Sequence, residues 1–149
     1  MAELVATTTW NRQALYRNFD WVNDEIRIIL MSEWNTLYRS YTSEVSYANI
    51  IHGEVKGHGY IAGGLPLAGK SISPLGYQVR YRADPVSWLE FAGTARSALI
   101  VNWEAEDNIN KWLMAMVDFG EIAFGNISPI LIRWNSNIAL QSRLVLETT

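Results

Sequence analysis

From Gly59 to the C-terminus the chain is cut into short extended segments, with no long helical pattern between them. That succession limits the possible folds more than any other feature. Val79, Tyr81 and Ala83 alternate with Gln78, Arg80 and Arg82, the period of two that turns one face of a strand inward. Val86 to Phe91 follows Pro85, and a proline at a strand's first residue forfeits no ladder bond. Arg96 to Trp103 reads as a strand buried at Ala98, Leu99, Ile100 and Val101. Glu104 to Lys111 is a polar hairpin tip, and Trp112 to Phe119 is the return strand. Ile130 to Trp134 and Leu140 to Leu146 form a last pair, joined at Asn135, Ser136 and Asn137, whose side chains favour turns. Gly57, Gly59, Gly63 and Gly64 flank a short strand, and Leu67 to Ile72 is another.

Upstream the signals differ. Residues 1–10 carry no periodic pattern and read as an extended arm, ordered only when something binds it. Asn11 can cap a short helix to Asn18, with Ala14, Leu15 and Phe19 at helical spacing. Ile26 to Met31 is apolar on both faces, as in a central strand. Ser32 to Gly57 is a long irregular stretch, with a helical turn or two between Val45 and Ile51; such a loop is usually functional or interfacial. The expected fold is therefore mainly β: one domain over residues 1–149, an antiparallel β-sandwich of about eight or nine strands with one short N-terminal helix.

Composition narrows the function classes. The net charge is −3, only 18% of residues are charged and 49% are hydrophobic, which argues against disorder. No apolar run approaches the roughly 18 residues of a membrane span. The N-terminus lacks the basic start and apolar stretch of a signal peptide. Mild acidity speaks against a dedicated nucleic-acid binder. The absence of Cys removes disulfides and thiolate chemistry. Seven Trp must still be placed. Trp88 and Trp134 sit in strand patterns. Trp103 and Trp112 bracket the acidic tip and could pair across it. Trp10, Trp21 and Trp34 lie in the arm, the helix-to-strand link and the long loop. All but Trp88 and Trp134 are the candidate partner-interface residues: Trp10, Trp21, Trp34, Trp103 and Trp112.

Several motifs imitate chemistry. Gly64-Leu-Pro-Leu-Ala-Gly69-Lys70-Ser71 satisfies the phosphate-binding P-loop pattern, and Leu113-Met-Ala-Met-Val-Asp118 imitates a magnesium-holding strand. A P-loop needs a helix starting at Lys70, and Pro74 and Gly76 deny it one. Gly57-His-Gly59-Tyr-Ile-Ala62 resembles a dinucleotide fingerprint, with Gly63-Gly64 where its helix should grow. Asp118-Phe119-Gly120 reads as a strand end and a turn. His52, Glu54 and His58 have no recognised metal-ligand spacing. Glu104, Glu106 and Asp107 read as a solvated tip. No catalytic residue, cofactor or metal is expected.

Taken in order, Val55-Lys-Gly-His-Gly-Tyr-Ile-Ala-Gly-Gly64, Leu67-Ala-Gly-Lys70, Asp84-Pro-Val-Ser-Trp88, Ala95-Arg-Ser-Ala-Leu-Ile-Val101, Val117-Asp-Phe-Gly120 and Ile130-Leu-Ile-Arg-Trp134 resemble a family of small tailed-phage virion structural proteins. The resemblance runs from about Asn11 to Leu146. Pro85 and the two Trp of the acidic hairpin depart from the family pattern. What it implies is a non-enzymatic role in the virion. The favoured form is a capsid cement or decoration protein, a homotrimer on the outer surface of the capsid that contacts the major capsid protein. Such a protein passes through the host cytoplasm during assembly. A neck, adaptor or tail component is the alternative within the virion. A carbohydrate-binding module is the alternative of another class. Neither nucleic acid nor membrane is an expected partner.

Overall fold

The computed structural model describes residues 2–6, 20–32, 45–75, 78–134 and 143–148, with side chains described over 20–32, 45–74, 81–116 and 130–132. The chain is mainly β and antiparallel. Its elements are β1 (Ala2–Ala6), β2 (Ile26–Met31), α1 (Tyr47–Ile50), β3 (Leu65–Pro66), β4 (Ser71–Leu75), β5 (Gln78–Arg82), β6 (Val86–Asn102), β7 (Leu113–Trp134) and β8 (Arg143–Thr148). Six strands form one sheet in the order β1-β8-β7-β6-β2-β3, and β4 and β5 form a separate hairpin. The expected helix over Asn11–Asn18 lies outside the described residues.

The large sheet curls into a half-barrel. The cause lies in β6 and β7, which pair as one long hairpin with four register shifts. At the first, Leu89 and Glu90 lie between the Trp88–Ile130 and Phe91–Ser128 pairs and oppose only Pro129. Pro129 has no N–H to give to a ladder, and an extra residue across from it bends the strand. The expected separate strands Val86–Phe91 and Arg96–Trp103 are thus one element that bends without breaking. Likewise β7 runs on through Asp118-Phe119-Gly120, where the sequence predicts a strand end. Because the hairpin bends, Val86, Trp88, Ile130 and Ile132 from its base share a core with Ala98, Ile100, Met114 and Ala115 from near its tip.

β1 closes the curl. It pairs with β7 through Leu4–Ala6 and with β8 through Ala2–Val5, while β8 also pairs with the end of β7. The expectation of an arm ordered only when something binds it is corrected over Ala2–Ala6: this segment is a strand of the sheet, paired with the start of β7 and with β8, which in turn pairs with the end of β7.

β2 is buried on both faces, as its apolar character predicts, but it is not central: it lies next to the sheet edge, flanked on its outer side only by the two-residue β3. Ile26, Ile28 and Leu30 enter the main core, while Ile29 and Met31 face a second cluster with Tyr47 and Ile50 of α1, Leu99, Val101, Leu113 and Met116. α1 is one turn long. Asn49 Oδ1 accepts from the Ser46 N–H at 3.0 Å, and Gly53 ends the following 3₁₀ turn Ile51–Gly53.

Gly64 has φ +64°, and a Cβ there would lie 2.0 Å from the Ile28 carbonyl oxygen. The first glycine of the P-loop-like motif therefore serves the close approach of β3 to β2. Ser71 opens a strand where a nucleotide-binding loop would open a helix. Gly64→Ala should destabilise the fold by about 2 kcal/mol or more, since a positive-φ side chain adds strain to the clash. Urea unfolding of the two chains measures this; an unchanged midpoint would contradict the packing.

Candidate functional site

The most organised polar cluster centres on Glu54. Its side chain is only 5% exposed. The Tyr47 hydroxyl donates to Oε2, the Tyr60 hydroxyl donates to Oε1 at 2.6 Å, and the Gly63 N–H donates to Oε1 at 2.7 Å. A buried carboxylate is tolerated when donors replace its water, and here three do. Tyr60 also acts as an acceptor. Its oxygen takes the Leu30 N–H at 3.2 Å, a ladder position of β2 that no strand reaches. Met31 bridges Glu54, the Val55 N–H donates to Leu30 O at 3.0 Å and the Leu67 N–H donates to Ile26 O at 2.7 Å. With β3 this seals the outer edge of β2 piece by piece.

Beside this cluster Trp103 meets Tyr47 edge-on at 4.7 Å, with Lys111 Nζ 4.1 Å and the Arg27 guanidinium 5.0 Å from the ring centre. Both cations lie within cation–π range. Arg27 is also paired with Glu25 at 2.9 Å, and Lys111 donates to Asn108 Oδ1 at 3.0 Å.

Burial, then the hydrogen bond to Glu54 and its charge, push the Tyr47 and Tyr60 hydroxyls well above the ordinary tyrosine range. Their neutral forms are the ones the fold stabilises. That contribution is complete below the unfolded-state value near 10.0 and is lost as pH rises above it. Desolvation pulls the Lys70 ammonium below its ordinary value, against the opposing pull of Asp24, Glu104, Asp20 and Glu25. Lys70 donates to the Asp24 backbone carbonyl. Its amine is tied to a turn, where the P-loop reading would need it on a phosphate.

The five interface tryptophans part ways. Trp10 and Trp34 lie outside the described residues. Trp21 is 1% exposed and belongs to the core, which corrects its candidacy. The Asp20 carboxylate accepts from the N–H groups of Val22 and Asn23, both at 3.1 Å, and this turn swings the indole inward. Its Nε1–H donates to Arg82 O at 3.0 Å, and its ring meets Tyr81 edge-on at 5.6 Å. Trp103 and Trp112 are half-buried and do not pair: Trp103 packs on the α1 side, Trp112 on the main core. His52 and His58 are exposed while Glu54 turns inward to the tyrosines. Among the described residues no group of three His, Asp or Glu side chains is placed to hold a metal ion.

The surface features the sequence did not single out are aliphatic. Ile61 is 82% exposed, Leu89 73% and Ile109 63%. Leu89 stands out because it occupies the bulge opposite Pro129. Ile61 begins the turn whose Gly64 N–H returns to its carbonyl at 3.1 Å. Compared with known proteins, the chain matches no family model, no curated protein and no solved structure.

Tyr60→Phe removes a donor to Glu54 and the acceptor for Leu30 at once. It should cost about 1–3 kcal/mol in chemical denaturation, the range for unpaired buried polar groups. A loss within error of zero would mean that water replaces the hydroxyl. In a pH series, unfolding should set in above about pH 10, with Tyr47 and Tyr60 ionising only as the protein unfolds. Ultraviolet titration of tyrosinate, followed together with circular dichroism, tests this; two groups ionising in the folded state near their ordinary value would refute it.

Proposed function

We propose that this chain is a non-enzymatic structural protein of a tailed-phage virion, most specifically a capsid cement or decoration protein. In this reading it works as a homotrimer on the outer face of the shell and stabilises the shell by burying apolar surface against the major capsid protein. Its finer architecture in the proposal is a β-sandwich, the bent β6–β7 hairpin supplying strands to both layers.

The observation that carries the reading is the exposure of Ile61, Leu89 and Ile109 on a turn, a bulge and a hairpin tip, each backed by a hydrogen-bonded frame. Large aliphatic side chains held out on ordered backbone suit burial against a neighbouring subunit. The ordered segments from Val55 to Trp134 that resemble the virion family lend the second support. β1 is part of the fold, so in this reading the contacts are made by these protruding side chains and not by Ala2–Ala6. An interface of about 1,600 Å² would suffice for stable attachment, although area alone does not set affinity.

The isolated chain should sediment as a trimer and restore the thermal stability of capsids stripped of their accessory proteins. Leu89→Glu and Ile61→Glu should fold normally and lower capsid occupancy about tenfold or more, a loss of roughly 1.4 kcal/mol. A monomer with no affinity for capsids, or a large closed ring, would move the protein to the neck or tail.

A further inference from the structure

A second site lies away from the Glu54 cluster, between the Asp20–Asp24 turn and the acidic hairpin. It is a cleft of about 360 Å³ whose lining includes Asp24, Asn102, Glu104, Asn110 and Trp112, together with Ala105 and Met114. That volume is within the range of small-ligand pockets, roughly 300–1,000 Å³.

The fold's own hydrogen bonds determine what the lining can still offer. Asp24 Oδ2 accepts from the Asp20 N–H at 2.9 Å and from Asn102 Nδ2 at 3.1 Å. Glu104 Oε1 accepts from the Glu25 N–H, and Asn102 Oδ1 accepts from the Glu104 N–H at 3.0 Å. Asn110 Nδ2 donates to Asp107 Oδ1 at 2.8 Å. One oxygen of each carboxylate is thereby anchored. The second oxygen of each, and the carbonyl oxygen of Asn110, have no partner among the described residues. Each carboxamide retains one N–H. Trp112 is half-buried against the main core and adds an indole to the wall.

A lining of fixed acceptors, a few amide donors and an aromatic surface fits neighbouring hydroxyl groups on an apolar ring. The hydroxyls donate to Asp24, Glu104 and Asn110 and accept from the amides, while the C–H face lies on the indole. Anions meet two carboxylates and are repelled. Lys70, bound to the Asp24 carbonyl, sits in the field of both carboxylates and offsets part of their attraction for cations. We propose that this cleft binds a neutral mono- or disaccharide.

The test is saturation-transfer NMR on the full chain, using methyl glycosides of glucose, galactose, mannose and N-acetylglucosamine and their disaccharides. At least one should receive saturation at its ring protons. Glu104→Gln keeps an acceptor for the Glu25 N–H and Asn110→Ala lies on an exposed tip, so both should fold. Each should weaken binding about tenfold or more. Trp112→Ala should abolish the transfer, but its ring also packs on the core, so the two polar variants decide. No transfer from any glycoside, transfer unchanged in both polar variants, or a response to methylguanidinium with none to glycosides would each overturn the proposal. Because the experiment needs no capsid, its outcome is separate from that of virion attachment.

Discussion

The carboxylate of Glu54 is the point on which the arrangement of β2 depends. One edge of β2 is secured by β6, over the full Ile26–Met31 register. Its other edge has no full-length strand. It is covered by Gly53 to Val55, the Tyr60 hydroxyl, β3 and Leu67. None of these pieces has enough ladder bonds to hold register alone. Glu54 joins them by accepting from Tyr47, Tyr60 and Gly63. Tyr47 belongs to the cluster under α1, and Tyr60 packs on the main core, so one carboxylate couples both faces of the sheet. An open β2 edge would invite pairing with another chain. The two-residue β3, which ends at Pro66, leaves little to pair with.

The same economy governs the long hairpin. A straight ladder of this length would present a flat sheet with one wet face. Pro129 opposite Leu89 and Glu90, with the three later shifts, bends it until its base and tip bury each other. The bend separates the two ends of β7, and β1 and β8 fill the space between. The β4–β5 hairpin stands outside this sheet, and a two-stranded hairpin alone is marginal in water. Trp21 compensates by packing on Tyr81 and bonding Arg82.

What is legible in the sequence is local. The two-faced apolar run of β2, the alternation in β5, the acidic tip and the helical turn near Tyr47 are readable because side-chain period and turn residues report them directly. The rejection of a helix at Lys70 rests on Pro74 and Gly76, and the strand is there. Apart from the expected strand Leu67–Ile72, which is broken at residues 67–70 between β3 and β4, the misses are long-range. Leu4 and Val5 carry too short a pattern to reveal a strand whose partners lie more than a hundred residues away. Gly and Pro suggest breaks within β6 and β7 because a bulge and a strand end use the same residues. Trp21 reads as an interface residue from its address between elements, yet Asp20 and Asn23 beside it spell an Asx turn that predicts the inward swing. Glu54 reads in sequence as a residue of a Gly-rich loop with no metal-ligand spacing, since nothing in its neighbours announces that Tyr47 and Tyr60 converge on it.

Two kinds of surface then follow from the frame and cannot exchange roles. Leu89 is exposed because a bulge must turn a residue outward, and Ile61 because a tight turn ending at Gly64 leaves its first side chain unsupported. Both side chains are large, aliphatic and exposed, so each gains most from an apolar partner that removes it from water. The cleft beside Trp112 is the opposite case. Its polar groups are held by bonds to Asp20, Glu25 and Asp107, which fix the directions of their remaining lone pairs. An apolar partner there would strip water from two carboxylates and return nothing, a cost that grows with burial. The proposed protein attachment and the proposed hydroxyl recognition would therefore fall on different parts of the fold, separated by the hydrogen bonds that build it.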